Sequence, residues 1–279
     1  MKIKDFEGKN VYVVGGSSGI GLSAAEILAQ RGSNVILFAR GRERLEEALE
    51  KVTARRQNES QRFTFKQLDI SDHEEVEKVM AEAFEGVGPP DILINSAGRA
   101  LPDYFENISY EQLDESMKLH LYGNWNTIKA LLPHLKQRRG YITNVCSVVG
   151  FVGPFGYTDS AASKFALMGL TEALRSELKP CGVGVSILCP PDTDTPGFEV
   201  ENRNKPPETA AVSEGGGLMR PERVAQALIK GMEKGKFVIT PGSAKMIYVL
   251  KRHLPWLVDY VMDREIRNLR KGRAVDLRG

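Results

Sequence analysis

Asn10-Val11-Tyr12-Val13-Val14-Gly15-Gly16-Ser17-Ser18-Gly19-Ile20-Gly21 is the stretch that decides the fold. Its first five residues are largely β-branched or aromatic and read as a strand, the glycine cluster reads as a turn, and a helical pattern starts at Gly19. The logic is steric and electrostatic. Gly15 permits the tight turn, Gly19 lets the backbone approach a pyrophosphate, and Gly21 lets helix and strand pack closely. The helix N–H groups and dipole then meet the negative charge, with Ser17, Ser18 and Ile20 completing the cradle. Between a strand and a helix, a glycine cluster of this spacing points to a dinucleotide.

The same alternation continues outward. Residues 10–14, 34–38, 62–67, 91–95, 141–145, 183–189 and 237–240 read as seven strands, with helical patterns at 19–31, 42–55, 72–84, 110–137, 160–178 and 221–234. Because parallel crossovers are right-handed, this order implies an α/β fold: a Rossmann-type, doubly wound, seven-stranded parallel sheet with helices on both faces. Residues 1–242 are expected to form the dinucleotide-binding catalytic domain. Within it, residues 190–217 are rich in Pro, Gly, Thr, Asn and Glu and too long for an ordinary connection, so they read as a functional loop over the site. Residues 243–279 read as an amphipathic, basic extension of the same domain.

A chain of 279 residues with 42% hydrophobic content can bury a substantial core. Its 38 basic and 36 acidic side chains nearly balance, which removes the electrostatic case for nucleic acid as a partner. Cys146, Cys181 and Cys189 are odd in number and suggest no disulfide framework, so a reducing, cytoplasmic setting is expected. No metal-ligand spacing is evident. The N-terminus has no apolar leader-like run, and no apolar stretch reaches the roughly 18 residues of a membrane span. Residues 245–262 mix Met246, Val249, Leu254, Trp256, Tyr260 and Val261 with Lys245, Lys251, Arg252 and His253. That pattern suits either a packing or oligomer surface or a helix lying in a membrane interface, giving peripheral membrane contact. The tail beyond Asp263 is basic and expected to fray.

Nicotinamide sites selective for NAD place an acid at the end of the second strand to hold the ribose 2′-hydroxyl. Here Phe38-Ala39-Arg40-Gly41-Arg42 holds none, and Arg40, helped by Ser17 and Arg42, can pair instead with a 2′-phosphate, which makes NADP(H) the expected cofactor. Asp69 and Ile70 follow the third strand, where adenine would lie. Asn95, Ala97 and Gly98 end the fourth, where a cofactor ribose would lie.

With these residues in hand, the chain resembles the short-chain dehydrogenase/reductase family over about residues 8 to 240, through Gly15, Gly19 and Gly21, Asp69, Asn95-Ser96-Ala97-Gly98, Ser147 and Ser163-Lys164. The resemblance implies that Ser147 hydrogen-bonds a carbonyl, that Lys164 holds the nicotinamide ribose, and that Pro190 and Thr193 touch the cofactor. It also implies a Tyr four residues before Lys164 as acid or base and an Asn in a proton relay. Those positions hold Ser160 and His120, and the Thr usual before the first glycine is Val14. The run Pro190-Pro191-Asp192-Thr193-Asp194-Thr195-Pro196-Gly197-Phe198, with Glu201-Asn202 and Phe155-Gly156, resembles the branch that reduces long-chain sphingoid ketones with NADPH. A homo-oligomer acting on a lipid-like ketone is therefore expected.

A phenol has a pKa near 10 that a neighbouring ammonium can lower, whereas a serine hydroxyl is a far weaker acid and a ring's length shorter. Two function classes remain: a ketone reductase of impaired turnover, taking its proton from water, His120 or Tyr157, and a catalytically inactive or engineered dinucleotide-binding protein. Tyr157 reads either as that donor or as an aromatic packing in the loop. His120 reads either as a relay or as a buried structural histidine.

Overall fold

The computed structural model describes residues 2–203, 205–214 and 217–276, with side chains in the last helix described as far as Lys271. The seven strands are β1 (Asn10–Val14), β2 (Asn34–Ala39), β3 (Phe63–Gln67), β4 (Ile92–Asn95), β5 (Tyr141–Val145), β6 (Gly184–Leu188) and β7 (Val238–Ile239). Around them run α1 (Gly19–Ala29), α2 (Arg42–Thr53), α3 (His73–Val87), α4 (Tyr110–Met117), α5 (Gly123–Gln137) and α6 (Thr158–Leu178). The later helices are α7 (Pro196–Asn202), α8 (Pro207–Glu214), α9 (Pro221–Lys234), α10 (Ala244–His253) and α11 (Pro255–Asp276).

All pairings are parallel, in the order β3-β2-β1-β4-β5-β6-β7. The winding reverses between β1 and β4, so Val14 lies in register with Phe38 on one side and Asn95 on the other. That reversal opens a crevice at the carboxyl ends of the strands, the place where open α/β sheets bind ligands. The strands read as near-continuous apolar runs because both faces are covered. Val11 and Val13 pack with Leu28, Leu45, Leu228 and Met232, while Tyr12 and Val14 pack with Met80, Ile128 and Leu131 on the other face.

Three regions depart from the expected pattern. Residues 110–137 do not form one helix: a π-helical turn, Lys118–Tyr122, separates α4 from α5. There the Asn124 side chain donates to the His120 carbonyl at 2.7 Å, satisfying backbone that the altered turn leaves outside the ordinary ladder. The long loop contains helices of its own. Thr195 caps α7 by accepting from the Phe198 N–H at 3.2 Å, Pro196 pre-sets its first turn, and Pro207 opens α8. Asn204, Gly215 and Gly216 of that loop lie outside the described residues.

The C-terminal region is also ordered differently. Residues 245–262 do not form one helix, because Pro255 lacks an N–H and starts α11 after a break at Leu254. The tail does not fray from Asp263; it continues helically to Asp276, with α11 packed along α8. The side chains of Arg273, Asp276 and Arg278 lie outside the described residues. No helix among the described residues is long and apolar enough to cross a membrane, and none of their His, Cys, Asp and Glu clusters could hold a metal ion.

Candidate active site

The glycine turn is shaped by contacts that a side chain would fill. Gly15 has φ +74°, and a Cβ there would stand 2.5 Å from the Ala97 backbone nitrogen. Only glycine lets the turns after β1 and β4 lie against each other. Gly19 has φ +55°, and its Cβ position is 2.8 Å from the Thr195 methyl, so the long loop after β6 closes onto this turn. Ser18 sits at the N-cap of α1 without a side-chain cap bond, which leaves first-turn N–H groups for an anion. A pyrophosphate fits this cradle.

At the end of β2, Arg40 lies 3.8 Å from the Asp69 carboxylate, and its side chain is 70% exposed. Such a pair holds Arg40 loosely and is cheap to exchange for a phosphate. Arg42 is already engaged with Glu46 at 2.8 Å. Two expected cofactor residues are otherwise committed. Ile70 is buried with its side chain against Gly123, and its carbonyl accepts from the Asn126 side chain at 3.0 Å. Asn95 is buried, donating to Asn144 and accepting from Thr127, each at 3.0 Å. Both side chains are held within the fold. Thr193 is likewise buried, its hydroxyl donating to the Pro191 carbonyl at 2.9 Å.

β5 runs through Cys146 into Ser147, which caps a short 3-10 turn, Val148–Gly150, by accepting from the Val149 N–H at 3.2 Å. No described residue accepts its hydroxyl proton. Pro190 closes beside it, accepting from the Val148 N–H at 3.1 Å. On α6, Ser160, Ser163 and Lys164 share one buried face, as i, i+3 and i+4 spacing requires. The Lys164 ammonium donates to the Val145 carbonyl at 3.3 Å. A Cβ at Gly98 would be 3.4 Å from that ammonium and 3.5 Å from His120 Nε2, so the bare glycine keeps both near the end of β4. Burial holds the Lys164 pKa below its ordinary value, opposed by the adjacent Cys146 and Cys189 thiols. The Ser160 hydroxyl is buried and has no hydrogen-bond partner among the described residues.

His120 is fully buried, and both ring nitrogens are used. Nε2 accepts from the Arg99 N–H at 3.3 Å, which puts the proton on Nδ1, 2.8 Å from the Ser163 hydroxyl. Ser163 in turn donates to the Ser160 carbonyl at 3.0 Å. Burial and the Lys164 charge push the imidazole pKa well below its ordinary value, so it stays neutral near pH 7. These contacts support the structural reading of His120: it ties the π-helical turn to α6.

Tyr157 is buried, and its hydroxyl donates to Glu201. Burial, with the Glu201 charge and hydrogen bond next, raises its pKa, so the phenol keeps its proton. These contacts support the packing reading of Tyr157 in the loop. Sequence reasoning missed what surrounds it. Lys205 is 3.3 Å from Glu201 with a nearly buried side chain, 4.7 Å from the Phe198 ring centre and 6.0 Å from that of Tyr157. The only sequence signal was the i, i+4 spacing of Glu201 and Lys205.

Burial raises the Asp192 pKa to about 6, with Lys205 opposing the shift and Glu201 adding to it. Between pH 4 and pH 6 the folded chain holds a proton on Asp192 that the unfolded chain has lost, so this group's contribution to stability falls as pH rises through that window. Asp192→Asn is expected to remove that fall, by on the order of 1–3 kcal/mol. Urea melts of parent and variant at pH 4 and pH 7 check it; identical pH dependence in the two would contradict it.

Residues 9–206 match the short chain dehydrogenase family. The 3-dehydrosphinganine reductase of Danio rerio is 39% identical over 84% of this chain and 71% of its own. The 3-ketodihydrosphingosine reductase of Bos taurus is 39% identical over 85% and 72%. Among solved structures, an alcohol dehydrogenase from Thermococcus sibiricus complexed with 5-hydroxy-NADP superposes with a TM-score of 0.73 at 26% identity, covering 85% of this chain and 97% of its own. A short chain dehydrogenase/reductase from Burkholderia phymatum in complex with NAD has a TM-score of 0.79 at 23% identity over 90% and 94%, a likeness of fold. Sheet order, glycine cradle and ancestry agree, and the chain belongs to the short-chain dehydrogenase family, an oxidoreductase working with a nicotinamide dinucleotide.

Proposed function

We propose that the chain reduces a long-chain sphingoid ketone, 3-ketodihydrosphingosine, to the alcohol dihydrosphingosine with NADPH, at a rate lowered by Ser160. The observation that carries this is the loop from Pro190, which packs against the Ser147 turn and lies in the region shared with relatives named for that reaction. NADPH, when bound, supplies the hydride. Ser147 donates its hydroxyl proton as a hydrogen bond to the ketone oxygen, and Lys164 holds the nicotinamide ribose. The new alcohol also needs a proton. With His120 and Tyr157 engaged elsewhere, water beside the unpartnered Ser160 hydroxyl is the best-supported donor, drawing on the buried Lys164 ammonium.

The test is NADPH oxidation by the parent chain with 3-ketodihydrosphingosine. A second reading, an inactive dinucleotide-binding protein, is favoured by Ser160 itself. It holds if the parent shows no turnover above a protein-free blank while Ser160→Tyr does.

NADP(H) preference rests on Arg40. Arg40→Asp is expected to shift the NADPH-to-NADH affinity ratio by about 10–100-fold towards NADH, the loss of one charge-assisted phosphate contact. Titration of both cofactors checks this, and tighter NADH binding by the parent, or an unmoved ratio, contradicts it. The reading is of a cytoplasmic enzyme with free cysteines. It forms a homo-oligomer through the half-exposed Tyr122, Trp125 and Phe165. Light scattering of Trp125→Arg, expected to give a monomer, tests that face.

A further inference from the structure

α10 and α11 pack against each other, and together they touch both sides of the mouth of the site. On one side, Tyr248 of α10 meets Phe151 edge to face at 5.1 Å, directly after the turn that Ser147 opens. On the other, α11 lies along α8 of the substrate loop, with Arg270 3.8 Å from Glu208. Glu208 is nearly buried and accepts from the Tyr104 hydroxyl at 2.9 Å. Its neighbour Thr209 donates to the Phe155 carbonyl at 2.9 Å.

The outward face of this pair carries a run of exposed apolar side chains. Met246 is 63% exposed and Trp256 64%, with Val249, Leu254, Tyr260 and Val261 also exposed. The apolar side chains are set among bases. From Ala244 to Lys271 there are seven Lys and Arg against three Asp and Glu, in a chain whose net charge is only +2. Lys251 is paired with Asp259 and Arg264 with Glu265. Lys245, Arg252 and Lys271 form no ion pair among the described residues, and Arg267 lies over the Tyr260 ring. A second copy docking on this face by a two-fold axis would bring like charges together. Anionic headgroups complement it, and Trp and Tyr are the side chains suited to a boundary that is apolar on one side and wet on the other.

We propose that this face docks on an anionic lipid bilayer. Met246, Val249, Trp256 and Tyr260 lie at the acyl boundary, and Lys245, Arg252 and Arg267 lie among the headgroups. The mouth between the Ser147 turn and α8 is thereby held at the lipid surface. That a long-chain ketone reaches the site from that surface rests on the sphingoid reading above; the docking itself does not.

The chain has two tryptophans, so Trp125→Phe leaves Trp256 as the sole reporter. Full-length Trp125→Phe protein is mixed with vesicles of phosphatidylcholine alone or with phosphatidylglycerol. The expected result is co-flotation with the anionic vesicles, release by salt, a blue shift of Trp256 emission and its quenching by brominated acyl chains. Trp256→Ser with Tyr260→Ser is expected to weaken flotation by about tenfold or more, leaving the melting temperature and the turnover of detergent-dispersed ketone unchanged. The absence of both flotation and an emission shift on anionic vesicles would overturn the proposal. So would a blue shift that grows with protein concentration without lipid, accompanied by a dimer mass that the double variant loses, since this gives the face to a second copy. Flotation without any turnover of 3-ketodihydrosphingosine supports the docking and sinks only the substrate reading.

Discussion

Ser160→Tyr is expected to raise turnover of the sphingoid ketone by about 10²–10⁴-fold, roughly 3–5 kcal/mol of transition-state stabilisation, with NADPH affinity nearly unchanged. Position 160 lies one helical turn before Lys164, on the same buried face of α6. A phenol placed there would extend past the serine oxygen towards the ketone, with the Lys164 ammonium close enough to lower its pKa from about 10. The parent has there a hydroxyl with no partner among the described residues. Cofactor affinity should hold because the glycine cradle, Arg40 and Lys164 are untouched; an effect on kcat without one on cofactor binding marks an interaction made in the transition state. Steady-state NADPH oxidation gives the rate and fluorescence titration the affinity.

Two controls keep that prediction falsifiable if the ring packs poorly. Ser160→Ala, which removes the hydroxyl that would orient water, is expected to lower the residual rate by about tenfold. Tyr157→Phe is expected to leave the rate alone, since that hydroxyl is engaged by Glu201. A parent already as fast as Ser160→Tyr, together with a large loss in Tyr157→Phe, would make Tyr157 the acid and overturn this account.

The parts of the molecule legible in the sequence are those whose physics is local. β1 and the glycine turn could be read because strand, turn and helix start are contiguous, and because burial on both faces writes an unbroken apolar run. The π-helical turn could not. It shifts the phase of the helical pattern without ending it, so residues 110–137 look continuous until His120 is seen fully buried against Ser163. α11 was hidden by its charges. Its partly buried Leu257, Val258, Met262, Ile266 and Leu269 follow a helical period beneath a basic exterior. The least legible features were side chains whose partners come from distant elements. Asn95 reads as a ligand residue by position alone; only the fold brings Asn144 and Thr127 to it. Tyr157, Glu201 and Lys205 likewise meet only when the loop closes.

Gly15→Ala is expected to weaken NADPH and NADH alike by about 10²-fold or more, which separates it from Arg40→Asp, a change that moves the ratio between them. Two costs combine. An alanine at φ +74° occupies the left-handed region at about 1–2 kcal/mol. Its Cβ would also stand 2.5 Å from the Ala97 nitrogen and 2.7 Å from the Ala97 Cα, and both are backbone atoms that cannot rotate away. The turn after β4 would have to move, and the hydrogen bonds of Asn95 to Asn144 and Thr127 resist that. The crevice between β1 and β4 therefore widens where the pyrophosphate must be gripped, and about 3 kcal/mol of lost binding corresponds to the stated factor. Gly41→Ala is the matched control. Gly41 has φ −88° at the start of α2, with nothing within 4 Å of its Cβ position, so both cofactors should bind as in the parent. Fluorescence titration of the three proteins, each first shown folded by a cooperative melt, decides the matter. If folded Gly15→Ala binds both cofactors within about threefold of the parent, the close approach of the two turns is not what forms the cradle.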